Sequence, residues 1–100
     1  MSKDSIKYRE RVTIQADRML DCRAHHIFVQ ACREADHPAI RFIVVDLSAT
    51  QGIRASGVGI LLMLIDWAKR LRVQLHVVNC NPSIRTQLSS SRLLANLSIS

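Results

Sequence analysis

Val44-Val45-Asp46-Leu47-Ser48, followed after residues 49–53 by Arg54-Ala55-Ser56-Gly57-Val58-Gly59, is the stretch that decides the fold. Its first half closes the run Phe42 to Leu47, which is nearly all apolar and β-branched, as a strand covered on both faces reads. Its second half opens a helix that continues to about Arg72. At about 100° per residue, Leu61, Leu64, Ala68 and Leu71 form one stripe, flanked by Ile60 and Trp67. That stripe is expected to face a sheet. Val58 and Leu62 fall nearly opposite, beside Asp66 and Lys69, where exposed apolar side chains suit a docking patch. A buried strand, a loop containing Gly52 and then a helix make up one half of a strand–helix–strand unit.

Working outward, the same alternation recurs. Val12 to Ala16 alternates apolar and polar residues, as a half-buried strand does, and Ser5 to Arg9 reads as a short edge strand. Asp21 offers an N-cap oxygen. Beyond it, Ala24, Ile27, Phe28, Ala31 and Ala35 recur at helical spacing, which predicts a helix over about 22–36, ended at His37-Pro38. Val73 to Val78 is a further strand. Asn81-Pro82 sets an N-cap before a proline at the first helical position of a short helix carrying Ile84 and Leu88. Leu93 to Ile99 reads as a last helical turn and a short edge strand. These segments predict a single α/β layer domain over residues 1–100, its crossovers right-handed and its partner surface near the strand ends.

Composition fits one small intracellular domain. Hydrophobic residues make up 48% of the 100-residue chain and aromatics only 4%, so the core is aliphatic. The polar start, Met1 to Ser5, leads into no apolar run and predicts no secretory signal. The longest apolar run, Ile60 to Ile65, is too short to insert in a membrane. Cys22, Cys32 and Cys80 are odd in number and widely spaced, which reads as reduced thiols in the cytoplasm. The formal charge is +6, yet the arginines are scattered and no basic run is interleaved with aromatics. Solvated charge or an acidic protein partner explains them better than nucleic acid.

The helix opening carries the chemistry. Ser56 is read as its N-cap, accepting from N–H groups one turn in. Gly57 and Gly59 would leave the first turn bare, open to a second protein or a phosphate, at a cost of about 1 kcal/mol each in helix propensity.

Those residues resemble the STAS domain family, found in bacterial anti-sigma factor antagonists and in the tails of sulfate transporters. The family pattern is an apolar strand ending Asp-Leu-Ser, a loop, and Asp-Ser-Ser-Gly-Leu-Gly opening a helix. Asp46-Leu47-Ser48 and Arg54-Ala55-Ser56-Gly57-Val58-Gly59 stand in those places. Leu20-Asp21, Val77-Val78-Asn79 and Leu88 to Leu97 extend the likeness to about residues 6–99. The resemblance implies a mixed sheet of four or five strands with about four helices, no catalytic residues, no cofactor and no metal. It implies binding to an anti-sigma factor that is also a serine kinase of the histidine-kinase-like ATPase fold, with a serine phosphatase resetting the switch. The phosphorylated serine falls on Ser56, and Arg54, Ser56, Gly57, Val58, Gly59 and Leu62 fall in or near the interface. The family's Asp-Ser before that serine is here Arg54-Ala55, so a cation replaces a carboxylate. An alternative within the same fold is an unphosphorylated scaffold or a subunit beside a transporter ATPase.

Other constellations are weaker. Cys22, His25 and His26 lack a second ligand pair for zinc. Asp46 and His76 lie on adjacent predicted strands, but no Gly-x-Ser-x-Gly elbow accompanies them. No Gly-Lys-Ser/Thr follows the glycines, which argues against the remaining alternative, a small nucleotide-binding or hydrolytic protein.

Overall fold

The computed structural model describes residues 10–91 and 97–99. Four parallel strands form the main sheet: β1 (Arg11–Gln15), β3 (Phe42–Asp46), β5 (Gln74–Val78) and β6 (Ser98–Ile99), in that spatial order. Two-residue strands β2 (Met19–Leu20) and β4 (Gly52–Ile53) pair separately, also in parallel. A 3-10 turn at Cys22–Ala24 leads into α1 (His25–Ala35), and α2 (Ala55–Leu71) and α3 (Pro82–Ser90) follow β4 and β5. The α/β class and four-stranded sheet agree with the expectation. Every pairing among the described strands is parallel, and the described helices are three α-helices and one 3-10 turn rather than about four. The strand expected at Ser5 to Arg9 and most of Leu93 to Ile99 lie outside the described residues.

Strand order follows chain order through β1, β3 and β5, so crossovers of one hand place α1 and α2 on the same face. There they pack on each other and on the sheet. Val12 and Ile14 of β1, Ile43 and Val45 of β3 and Val77 of β5 point into this layer and are buried. Phe28, Ala31, Cys32 and Ala35 of α1 and Ile60, Leu61, Leu64 and Ala68 of α2 meet them. Each fully buried Leu or Ile contributes about 1.5–3 kcal/mol over its exposed state. Burial also pushes the Cys32 thiol up to about 11, so it stays protonated and inert.

Two expectations fail here. Ile27 has the helical spacing of a core residue but is 41% exposed, while Cys32 takes a core position. In addition, β3 is not covered on both faces: Phe42, Val44 and Asp46 are only half-buried. The row Thr13, Val44, His76 and Ser98 runs across the opposite face of the sheet. On this strand the β-branched run reflects pleated-surface preference and cross-strand pairing rather than two-sided burial.

The caps explain the helix boundaries. Asp21 accepts from the Arg23 N–H at 3.1 Å, starting the 3-10 turn. Asn81 accepts from the Ile84 N–H at 2.8 Å ahead of Pro82, and its amide donates to the Thr50 carbonyl at 3.1 Å. The end of α2 turns on Arg72, left-handed at φ 59°, and the Val73 N–H reaches back to the Ala68 carbonyl at 3.0 Å.

Candidate partner-binding site

Parallel strands deliver their following loops to one end of the sheet, and three strand ends are clipped together there by Asp46. Its carboxylate accepts from the Ser48 N–H at 2.9 Å, from the Gln15 amide at 3.1 Å and from the Asn79 amide at 3.3 Å. Those bonds, led by the Ser48 N–H, hold the carboxyl below the usual carboxylate range. Asp46 is therefore a structural clip. His76 lies elsewhere, near Ser98 Oγ and the Gln74 side chain at 3.3 Å each and tilted against the Phe42 ring. The two residues do not form a catalytic pair with a serine.

Above the clip, β2 and β4 bring the starts of α1 and α2 side by side. The Leu20 carbonyl accepts from the Arg54 N–H at 3.0 Å. The Cys22 N–H donates to Ser56 Oγ at 2.9 Å. Asp21 completes the corner: Arg23 grips its carboxylate through Nε and Nη2, each at 3.0 Å, and Arg54 Nε stands 3.9 Å away. The Arg23 side-chain and backbone donors hold the Asp21 carboxyl below the usual range, and the carboxylate in turn raises the Arg23 guanidinium. Arg18 bonds Gln51 across the same corner at 3.3 Å.

The predicted site residues gather here, with three changes of role. Ser56 is not the N-cap. Arg54 takes that position without a side-chain cap bond, and Ser56 is the second helical residue, its hydroxyl turned to the Cys22 backbone. Gly57 is not bare for a partner. It is buried, and a Cβ there would overlap the Leu20 carbonyl oxygen and lie 2.8 Å from its carbon. Its glycine lets α2 seat against the β2 backbone. Gly59 is the open one, since an added methyl group there would meet nothing within 4 Å. Third, Val58 and Leu62 are half-buried and lean on the core instead of standing exposed. Arg54, Ser56 and Gly59 are exposed, so this corner presents a hydroxyl, a cation and an open backbone to solvent.

Known proteins share this fold. The STAS domain family model matches residues 4–100. The chain belongs to the STAS domain family. A STAS-domain containing protein of Pseudomonas aeruginosa is 33% identical over 82 residues, which is 82% of this chain and 80% of that one. The anti-sigma factor antagonist SpoIIAA in its unphosphorylated form superposes at a TM-score of 0.67, with 19% identity over 92% of this chain and 80% of that one. The phosphorylated form of SpoIIAA, a Bacillus cell fate determinant, gives 0.66 and 22% identity over 92% and 84%. A murine anion transporter, Slc26a9, gives 0.70 and 17% identity, covering 87% of this chain but 14% of its own. These likenesses establish the STAS fold.

Within the STAS domain, sequence reasoning overlooked the backbone half of the site. The Leu20 carbonyl and Cys22 N–H carry no side-chain signature, and two-residue strands show no periodicity. The pairing of Leu20-Asp21 with the Ser56 helix is readable only once β2 and β4 are joined. Cys22, His25 and His26 do not converge, and among the described residues no group of His, Cys, Asp and Glu could hold a metal ion. No helix among the described residues is long and apolar enough to cross a membrane.

Proposed function

We propose that this STAS domain is a protein-binding switch, an antagonist that binds an anti-sigma factor of the kinase type in the cytoplasm and is released when Ser56 is phosphorylated. The observation that carries the reading is an exposed serine hydroxyl in the first turn of α2, beside an open Gly59, on a domain of this family. The likeness in fold to SpoIIAA supports it, since that antagonist has both unphosphorylated and phosphorylated forms.

The geometry suits an acceptor rather than a catalyst. Ser56 Oγ accepts one backbone hydrogen bond, from Cys22, which orients the hydroxyl. Among the described residues no side-chain base bonds that oxygen, so the base belongs to the partner. In the transfer, Oγ attacks the γ-phosphorus of ATP, the bond to ADP breaks, and the hydroxyl proton passes to the partner's base. The product adds about −1.5 to −2 charges where the partner covers Arg54, Ser56 and Gly59, and that charge must be desolvated for the complex to persist. A phosphatase restores the hydroxyl.

The test is phosphosite mapping on the chain purified from its native host under several growth conditions. Phosphate on Ser56 supports the switch. A Ser56 that is never modified would favour the alternative, an unphosphorylated scaffold or a subunit beside a transporter ATPase; a murine anion transporter contains the same fold.

A further inference from the structure

We infer that phosphate on Ser56 is gripped within the domain by Arg54, so that in this chain the modified state is an internally latched one. The inference rests on the proposed phosphorylation and concerns what the phosphate does once present.

The Ser56 hydroxyl joins two segments. Cys22, whose N–H bonds Oγ, sits between Asp21 and Arg23 in the turn that enters α1, and Arg54 lies two residues ahead on the N-cap of α2. The charged and titratable groups these two segments carry near the joint are Asp17, Arg18, Asp21, the Cys22 thiol and Arg23 over residues 17–23, and Arg54 at the start of α2. Their pairing is uneven. Arg23 satisfies Asp21 alone, with Nε at 3.0 and 3.2 Å from its two oxygens, Nη2 at 3.0 Å and the backbone N–H at 3.1 Å. Arg54 approaches the same carboxylate only to 3.9 Å, beyond hydrogen-bond reach, and its side chain is 69% exposed. Asp21 is thus neutralised without Arg54, which leaves the Arg54 guanidinium available to a phosphate, while Arg18, the other cation of the corner outside the Asp21 fork, bonds the Gln51 side chain at 3.3 Å.

A phosphate on Oγ has oxygens for the Cys22 N–H and for a two-pronged bond from Arg54. Arg54 can leave Asp21 without stranding it, because the Arg23 fork remains. A carboxylate at this position, as in the family pattern, would instead repel the phosphate. Arg54 would therefore hold the modified serine within the first turn of α2, while the Cys22 N–H keeps its bond to that serine from the turn before α1.

The experiment installs phosphoserine at position 56 during translation of the full chain, in wild type and in Arg54→Gln. Phosphorus NMR titration gives the second ionisation of the phosphate, ordinarily near pH 6, about where a free phosphoserine titrates. Thermal melting at pH 8 compares each phosphoprotein with its unmodified form. Pairing with Arg54 favours the dianion, so in wild type the phosphate's ionisation should fall and the melting temperature should rise by a few degrees. The added stability should vanish as pH drops through the lowered ionisation. Both shifts should be markedly smaller in Arg54→Gln, where only the Cys22 N–H and the start of α2 remain to favour the dianion. Equal shifts in the two proteins, or none in wild type, would overturn the latch. No kinase enters the experiment, so its failure overturns the latch and leaves the switch itself standing.

Discussion

Replacing Gly57 by alanine should destabilise the domain, whereas the same change at Gly59 should stabilise it. Alanine is the better helix former by about 1 kcal/mol, and that gain is available at both positions. At Gly59 nothing opposes it, since the new methyl group meets no atom within 4 Å. At Gly57 the methyl group would run into the Leu20 carbonyl, 2.8 Å from its carbon and closer still to its oxygen, backbone atoms with little room to retreat. That oxygen also accepts from the Arg54 N–H at 3.0 Å, and Leu20 is paired with Ile53 through the β2–β4 ladder. Overpacking against such a fixed partner costs about 3 kcal/mol, the upper part of the usual range. The net loss at Gly57 is about 2 kcal/mol, or roughly 10 °C in melting temperature for a domain of this size. Gly59→Ala should gain a few degrees. Urea and thermal unfolding of both variants measure this directly. If Gly57→Ala melts at or above wild type, α2 does not seat on the Leu20 carbonyl and this account of the site's geometry is wrong.

Asn81→Ala removes both the cap on Ile84 and the donor to the Thr50 carbonyl, and should cost about 2 kcal/mol in urea unfolding. Asn81→Asp, which keeps the cap acceptor, should cost less. Asp21 and Asp46 are both held below the ordinary carboxylate range, so their contribution to stability is complete above about pH 4 and is lost as pH falls through their folded values. Melting temperature against pH should show that acid limb, and Asp46→Asn should flatten it. Leu62→Asp should lower the melting temperature, because Leu62 leans on the core, yet retain cooperative unfolding. Loss of cooperativity would make Leu62 a core residue and remove it from the interface.

Much of this was legible in the sequence. The strand–helix alternation, the stripe Leu61, Leu64 and Ala68, and the caps at Asp21 and Asn81 appear where side-chain chemistry indicates them. The stretch from Asp46 to Gly59 does run from the clipped strand ends to the corner where α2 begins. Less visible was anything carried by backbone or by tertiary context. Ser56 has the chemistry of a cap, but the β2–β4 pairing shifts the helix start to Arg54 and gives its hydroxyl to Cys22. Gly57 and Gly59 look alike in sequence and differ because only one faces the Leu20 carbonyl. Val44 is the kind of residue a two-sided core uses, and its half-burial depends on both helices sharing one face.

Affinity capture from a lysate of the native host tests the central claim most directly, using the unmodified chain and the chain carrying phosphoserine at position 56 as paired baits, with the retained proteins identified by mass spectrometry. The unmodified bait should retain an anti-sigma factor of the histidine-kinase-like ATPase fold, and the phosphorylated bait should release it. Retention of the same kinase-type protein by both baits, or of a transporter ATPase by both, would contradict the switch.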